Sequence, residues 1–193
     1  MGDAYEALNE KHIAFIREQK LFFVATAPLS ADGCVNLSPK GYDSLSVIDP
    51  HTLVWIDLGG SGIETLAHVR ENARMTLMFC AFEGRANILR VYGRAEAISF
   101  DEPGFDDLIA LFPQFDRARS IFRLKVSRVS DSCGWGVPFY EFKGEREQLR
   151  RWVGDKPAEE WREKRYAKNA ESIDGLPGLV RPGEAPKDGV GEE

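Results

Sequence analysis

The sequence predicts a mainly β protein of the α+β class, in which a small antiparallel β-barrel is flanked by helices. About six or seven short segments are rich in β-branched and aromatic residues, or alternate between apolar and polar residues, as strands do. Most of these segments are separated by short turns, which favours antiparallel pairing. Helical periodicity is limited to the start of the chain, to short segments in its middle and to the region after residue 144.

The elements of the first half follow from composition and turn signals. Residues 5–19 carry their apolar side chains on one helical face, and the segment FFVATA that follows is typical of a strand. Pro28 ends this strand, and the turn signal at 31–33 leads to a returning strand, which predicts a hairpin. The expected elements are a helix over 5–19 and strands over 22–27, 34–38, 45–48 and 53–58.

The second half begins at a glycine-rich turn over 59–62. A helical pattern follows, for which Ser61 is the expected N-cap, with Glu64 at the capping-box spacing. The expected later elements are strands over 75–82, 88–100 and 121–129 and helices over 63–72, 105–112, 145–153 and 158–168. The last 20 residues contain five Gly and three Pro, which predicts a mobile tail.

Size and charge exclude several classes of protein. The chain has 193 residues, 43% hydrophobic and 29% charged, the balance of a folded globular domain. Its net charge of −6 disfavours general binding to nucleic acids or to anionic membranes. The three cysteines form no CxxC pair and the three histidines lack metal-site spacing, so we expect no metal. An acidic N-terminal segment, unlike a signal peptide, and unpaired cysteines favour a cytoplasmic protein.

The glycine turn is the first candidate site. Residues 60–65 (GSGIET) follow a strand and open a helix, as a dinucleotide-binding fingerprint does. Thr65 replaces the third glycine, and the chain lacks regular strand–helix alternation, so a Rossmann-type enzyme is the weaker interpretation. Free backbone N–H groups at the start of a helix still suit a phosphate. A simple helix cap with a flexible approach is the alternative, and this stretch alone leaves both open.

Two further stretches carry candidate ligand contacts. Lys40 follows Pro39 at a strand end, where it is placed to pair with a phosphate or a flavin ring carbonyl; a solvated turn lysine is the alternative. Trp135 lies between two glycines and is free to stack on a planar ligand or a neighbouring subunit; a core tryptophan is the alternative. His12 and His51 fit structural roles better, and Cys133 is expected to be an ordinary thiol. His68, on the helix after the glycines, is expected at the surface or at an interface, with a place near a ligand as the alternative.

Several phrases occur in a familiar order: FFVATA, VNLSPKG, LVWIDL with its glycine turn and helix, ENARMTLMFCAFEG and ILRVYGRAEAIS. Together they resemble the pyridoxamine 5′-phosphate oxidase-like family of FMN-binding split barrels over about residues 20–100, with weaker support to Tyr140. The phrases NLSPKGYD, GSGIETLAHVREN, MFCAFEG and CGWGVP resemble one subgroup of it. The true oxidases carry a C-terminal basic motif with Arg and His, and no histidine follows Lys143 here. We therefore do not expect oxidation of pyridoxamine phosphate.

The resemblance implies a six-stranded antiparallel split β-barrel of the FMN-binding type, with flanking helices and a helical C-terminal extension. It divides the chain into a split-barrel domain over 1–143, the extension over 144–173 and a flexible Gly/Pro-rich tail over 174–193. Such barrels dimerise and hold one FMN in each of two clefts at the subunit interface. We therefore expect a homodimer with FMN as cofactor and a small-molecule substrate.

The resemblance also assigns cofactor-binding positions, the last two from the second subunit. The expected residues are Leu37, Ser38, Pro39, Lys40, Trp55, Ile56, Ser61, Gly62, Thr65, Asn87 and Trp135. Two departures stand out, since Ile56 replaces a hydroxyl and Glu64 replaces a basic residue that holds the phosphate. Without charge-assisted bonds we expect a weaker phosphate grip, unless Arg90 or Arg94 supplies the charge.

The first functional hypothesis is an FMN-dependent oxidoreductase acting on a small organic or nicotinamide substrate. In a flavoprotein the flavin carries the redox chemistry, so a missing acid or base does not argue against an enzyme. No catalytic residue is assigned. The alternative is a non-catalytic protein that binds flavin, haem or another planar ligand for sensing or stress response. A Rossmann-type nicotinamide enzyme is a third, weaker hypothesis.

Overall fold

The computed structural model describes residues 4–185 and places eight strands in one antiparallel sheet. Seven lie side by side in the order β3-β2-β6-β7-β8-β5-β4, and β1 pairs with β8. The strands are β1 (Ala4–Tyr5), β2 (Phe22–Thr26), β3 (Asn36–Lys40), β4 (Leu45–Asp49), β5 (Thr52–Asp57), β6 (Arg74–Cys80), β7 (Ile88–Ser99) and β8 (Ser120–Ser132).

Helices flank this sheet. They are α1 (Glu10–Glu18), α2 (Glu64–Asn72), α3 (Phe105–Ile109), α4 (Gln148–Gly154) and α5 (Ala158–Lys168). Helix α5 has the predicted bounds, whereas α1, α3 and α4 are shorter than predicted. Helix α1 starts late because Asn9 caps it, accepting the His12 N–H at 2.9 Å, and because the residues before it contribute β1.

Helix α2 does not begin as predicted. Ile63 occupies its N-cap position and no side chain caps the helix, so the expected capping box of Ser61 and Glu64 is wrong. The Glu64 carboxylate instead accepts the N–H of Ile173 at 3.4 Å, and the Ser61 carbonyl accepts the side-chain amide of Asn169 at 3.2 Å. These contacts with the C-terminal part of the chain hold the residues around the helix start, but neither of them satisfies a first-turn N–H group of α2.

The long β7–β8 hairpin forms the centre of the sheet. Strand β7 pairs with β8 along its whole length, with a register shift between Tyr92 and Gly93. The first half of β8 also pairs with β5, and its end pairs with β1. At Gly93 a Cβ would lie 2.1 Å from the carbonyl oxygen of Lys125, so this close approach requires glycine. Such irregularities bend a sheet and increase its twist.

The sheet is curled, and its strand β5 is buried throughout. The Trp55 ring stacks on Phe122 with centroids 4.4 Å apart and meets the edge of Phe22 at 6.1 Å. This half-barrel of antiparallel strands with flanking helices confirms the predicted fold class, a mainly β split barrel.

Residues 170–185, here called the C-terminal arm, pack against α2 and the end of α5. Leu179 is buried, and its N–H donates to the Asn169 carbonyl at 2.7 Å. Arg70 of α2 donates to the Gly178 carbonyl at 2.7 Å. Residues 174–185 are thus held against the rest of the chain by the buried Leu179 and the Arg70 hydrogen bond, and the flexibility predicted for the tail stays a prediction. The rest of that predicted tail lies outside the described residues, and the domain boundaries after 143 and 173 stay predictions.

Candidate functional site

A cavity of about 520 Å³ opens between β3 and the glycine turn that precedes α2; we call it the β3 cavity. Its walls come from β3 and the residues before it, from the segment between β5 and α2, and from the C-terminal arm. Six residues expected from the resemblance line it together: Leu37, Ser38, Lys40, Ser61, Gly62 and Thr65. Two segments about twenty residues apart in the chain therefore meet around one space.

The structure does not bring the other five expected residues into this cavity. Pro39 is exposed between two lining residues, and Trp55 and Ile56 are buried in the core strand β5. Asn87 lines a separate cleft of about 970 Å³ beside α1, and Trp135 is 86% exposed. The last two are expected to act from a second subunit, so a single chain does not test them. The cofactor-binding role of all eleven residues stays a prediction.

The floor of the cavity holds a buried ion pair that sequence reasoning missed. Asp57, at the end of β5, accepts hydrogen bonds from the guanidinium of Arg119 at 3.0 and 2.5 Å, and both side chains are almost fully buried. The Lys40 ammonium lies 3.7 Å from the same carboxylate and 5.4 Å from the centre of the Trp55 ring. Burial acts to raise the pKa of Asp57, but the charges of Arg119 and Lys40 outweigh it and hold that pKa well below its usual range.

Two arginines hold the glycine turn by its carbonyl groups. Arg119 donates to the Gly62 carbonyl at 2.6 Å, and Arg165 of α5 donates to the Gly60 carbonyl at 3.1 Å. Burial, together with the nearby charge of Arg119, lowers the pKa of Arg165. These cations are committed to the protein itself. Because Glu64 also lines the cavity, the positive charges there are balanced by Asp57 and Glu64.

The expected extra charge from β7 is not found in the cavity. Neither Arg90 nor Arg94 lines it, and Arg90 donates to the Ser132 hydroxyl at 3.2 Å. Lys40 is therefore the lining cation with the loosest pairing among those described, since its single ion pair is longer than a hydrogen bond.

The side-chain amide of Asn36 forms hydrogen bonds with hydroxyl groups in and behind the cavity wall. Its Nδ2 contacts the Oγ1 atoms of Thr26 and Thr65, each at 3.0 Å, and the Ser38 hydroxyl contacts its Oδ1 at 3.1 Å. Sequence reasoning missed Asn36, although its alternation with Ser38 and Lys40 along β3 places all three on one face of the strand. That period-2 pattern is the signal that could have identified it.

Behind this wall His68 is fully buried, so the expected surface or interface position of this histidine is wrong. His68 of α2 contacts the Thr26 hydroxyl through Nδ1 at 3.0 Å, and its Nε2 lies 3.9 Å from Asp174 of the C-terminal arm. Burial lowers the pKa of His68, against the opposing charges of Asp174, Glu71 and Glu64. Asp174 also accepts the backbone N–H of Cys34 at 2.9 Å. Its hydrogen bond with the Cys34 thiol, and then its charge, raise the pKa of that thiol, which makes it a poor nucleophile.

No group of three or more His, Cys, Asp or Glu side chains within residues 4–185 is arranged to hold a metal ion. Over the same residues, no helix combines the length and the apolar character needed to cross a membrane.

A curled antiparallel sheet, with a cavity between a strand end and the glycine turn opening a short helix, defines a split-barrel protein. The profile of the family described as pyridoxamine 5′-phosphate oxidase matches residues 8–133. The chain belongs to this family. It is 32% identical over 192 residues to the pyridoxamine 5′-phosphate oxidase family protein ustO of Aspergillus flavus, a match that covers 91% of this chain and 77% of that protein.

Solved structures agree on the fold. HupZ from Group A Streptococcus superposes with a TM-score of 0.50 at 20% identity, covering 63% of this chain and 91% of that one. A variant of HupZ gives a TM-score of 0.53 at 19% identity, covering 64% of this chain and 98% of that one. At this level of identity the likeness shows a shared fold.

Proposed function

We propose that the protein is an FMN-binding flavoprotein that acts as an oxidoreductase on a small organic or nicotinamide substrate. The observation that carries the proposal is the convergence of Ser38 and Lys40 with Ser61 and Thr65 around the β3 cavity. These are the positions at which the resemblance expects the flavin. Membership of the family supports the same conclusion.

The lining residues fit a flavin mononucleotide in volume and in chemistry. A cavity of about 520 Å³ is within the size range of cofactor sites. Lys40, with its long ion pair, is available to a ring carbonyl or a phosphate oxygen, and Ser61 and Thr65 offer hydroxyl groups beside the turn. The absence of a free arginine among the described lining residues points to modest phosphate affinity. When bound, the flavin would supply the redox chemistry, and the chain would position it and exclude water.

We further propose that the working unit is a homodimer in the cytoplasm. Large apolar side chains are exposed on the cavity rim and on the segment after β8, including Leu37, Trp135 and Phe139. Exposed apolar groups of this size favour a protein interface. Pairing two chains through these surfaces would bring Asn87 and Trp135 of one subunit to the β3 cavity of the other. Sedimentation as a monomer at micromolar concentration would contradict this arrangement.

The first experiment is a visible absorption spectrum of the protein purified without added cofactor, followed by identification of any compound released on heating. Flavin bands and release of FMN at about one per chain are expected. A colourless protein that also fails to take up added FMN would contradict the proposal. Release of FAD or haem would change the cofactor assignment.

The site assignment is tested with the double variant Lys40→Ala/Gly62→Asp. It removes the loosely paired cation and adds a carboxylate at a position where a Cβ would lie 2.1 Å from Glu64 Oε2, so the Glu64 side chain must move and a second negative charge lies beside it. We expect loss of bound flavin. The matched control is Lys168→Ala/Gly154→Asp, which makes the same formal changes on α4 and α5 where a Cβ at Gly154 meets nothing. Full flavin retention in the first variant would refute the site.

Non-catalytic binding of flavin, haem or another planar ligand is the second candidate. The balanced charge of the cavity favours non-catalytic binding, because a site that binds phosphate weakly suits a ligand held mainly by its ring system. The two candidates differ in turnover. Reduction of the bound flavin by NADH or NADPH, followed by repeated transfer to an acceptor, would support the oxidoreductase and exclude this alternative.

A further inference from the structure

The hydroxyl groups of the β3 cavity can each donate or accept, and their directions decide which ligand atoms fit. Asn36 joins two of them, those of Thr65 and Ser38, to the buried hydroxyl of Thr26 behind the cavity wall. An amide has one donor end and one acceptor end, so its orientation fixes the direction of every hydroxyl that contacts it. The orientation of the Asn36 amide is in turn set by a neighbouring group.

This group is the buried His68, whose tautomer determines the orientation of the Asn36 amide. It is fully buried, and burial lowers its pKa, so it is neutral near pH 7 and carries one ring hydrogen. Its Nε2 has no hydrogen-bond partner among the described residues and lies 3.9 Å from the Asp174 carboxylate. A hydrogen on Nε2 faces that carboxylate favourably, whereas a bare lone pair there would be repelled by it. Asp174 therefore selects the Nε2–H tautomer.

The tautomer of His68 then determines the hydrogen-bond directions of Thr26 and Asn36. With its hydrogen on Nε2, His68 accepts at Nδ1, so the Thr26 hydroxyl must donate to it. Thr26 can then only accept from Asn36, which places the amide nitrogen toward Thr26 and Thr65. The reverse amide orientation would leave one N–H of Asn36 without a partner among these groups, which is costly in a half-buried wall.

We infer that Asp174 and Asn36 are positioning residues that set the polarity of the cavity wall. Through His68 and Thr26, they leave the Thr65 hydrogen free to donate toward the ligand, because Asn36 donates to Thr65 and does not accept from it. They make Ser38 an acceptor, because its hydrogen already goes to Asn36. If the proposed function holds, a phosphate or carbonyl oxygen of the flavin faces Thr65, and an N–H or O–H of the ligand faces Ser38.

The first test does not depend on flavin. The ring nitrogen shifts of His68 in ¹⁵N NMR report its tautomer directly, and the His68→Gln variant assigns the signals. In the ligand-free wild type we expect the Nε2–H form almost alone, and in Asp174→Asn a mixture with the Nδ1–H form. A predominantly Nδ1–H wild type would overturn the inference, as would an unchanged tautomer in Asp174→Asn.

The second test uses binding. In Asn36→Asp the amide nitrogen is replaced by a carboxylate oxygen, which only accepts hydrogen bonds. The Thr65 hydroxyl must then donate to this carboxylate, and its hydrogen is lost to the ligand. We expect the Kd for FMN to rise at least about tenfold. The control Gln148→Glu adds the same charge on the exposed surface of α4 and should leave the Kd unchanged. Equal FMN affinity in Asn36→Asp and the control would refute the inference. A wild type that binds no flavin would contradict the proposed function, and the tautomer result would still decide the polarity of the wall.

Discussion

Replacing Arg119 by methionine is expected to destabilise the fold by about 3–5 kcal/mol, the usual effect of removing one partner of a buried ion pair. Asp57 and Arg119 are both almost fully buried, so solvent screens their interaction little. The variant leaves the Asp57 carboxylate with Lys40 alone, at 3.7 Å. It also removes the hydrogen bond that holds the Gly62 carbonyl. Urea unfolding at pH 7, with unchanged slopes for the two proteins, would measure the difference.

The same experiment at lower pH has a definite sign. In the wild type, Arg119 and Lys40 outweigh burial and hold the pKa of Asp57 below its unfolded-state value of about 4. The stability from this carboxylate is therefore present above pH 4 and is lost as the pH falls toward the folded-state pKa. Without Arg119, burial dominates and raises that pKa, so the penalty in the variant is relieved as the pH falls. The gap between the two proteins should narrow on acidification toward pH 4 and below.

Two controls make the result specific to the ion pair. Arg119→Lys keeps a positive charge and should lose less stability than Arg119→Met. Adding Asp57→Asn to Arg119→Met removes the stranded charge, so the double variant should be more stable than the sum of the single effects predicts. Strict additivity, or a gap that widens in acid, would refute the assignment of Asp57 as a charged partner.

Three other variants test separate parts of the fold. Gly93→Ala should destabilise the protein by more than about 1 kcal/mol in urea unfolding, because its Cβ would meet the Lys125 carbonyl at 2.1 Å; wild-type stability would refute the close approach. Leu179→Ala should cost about 2–5 kcal/mol and speed amide exchange in the C-terminal arm, and unchanged exchange would contradict its anchoring role. Trp135→Ser should leave subunit stability within about 0.5 kcal/mol but shift sedimentation toward monomer, and an unchanged sedimentation profile would remove this residue from the interface.

Local patterns predicted most of the sheet because strand formation here follows alternation and burial. The apolar β5 segment is buried throughout, as its composition indicates, and the bounds of α5 follow from its helical period. The start of α2 could not be predicted in this way. Helix α2 begins at Glu64 with Ile63 at its N-cap position, and the Ser61 carbonyl instead accepts from Asn169, more than a hundred residues away. No local rule contains that contact.

The candidate site likewise has a part that was predicted and a part that was not. The meeting of the Lys40 strand end with the Ser61 turn was predicted from the resemblance, and the structure places both at the β3 cavity. The pair of Asp57 and Arg119 was not predicted, because 62 residues separate the two side chains and each alone resembles an ordinary charged residue. Asn36 differs from this pair, because its alternation with Ser38 and Lys40 along β3 could have identified it.

The cavity is assembled from chain segments that are synthesised far apart in time. Arg165 contacts the Gly60 carbonyl across 105 residues, and Asp174 contacts Cys34 across 140. At about 5–20 residues per second, Arg165, which holds the glycine turn, emerges from the ribosome roughly 5–20 s after the turn itself. The cavity is therefore complete only after α5 and the C-terminal arm have been synthesised. Truncation before α5 would leave a chain that contains all eight strands of the sheet described above but lacks Arg165 and Asp174.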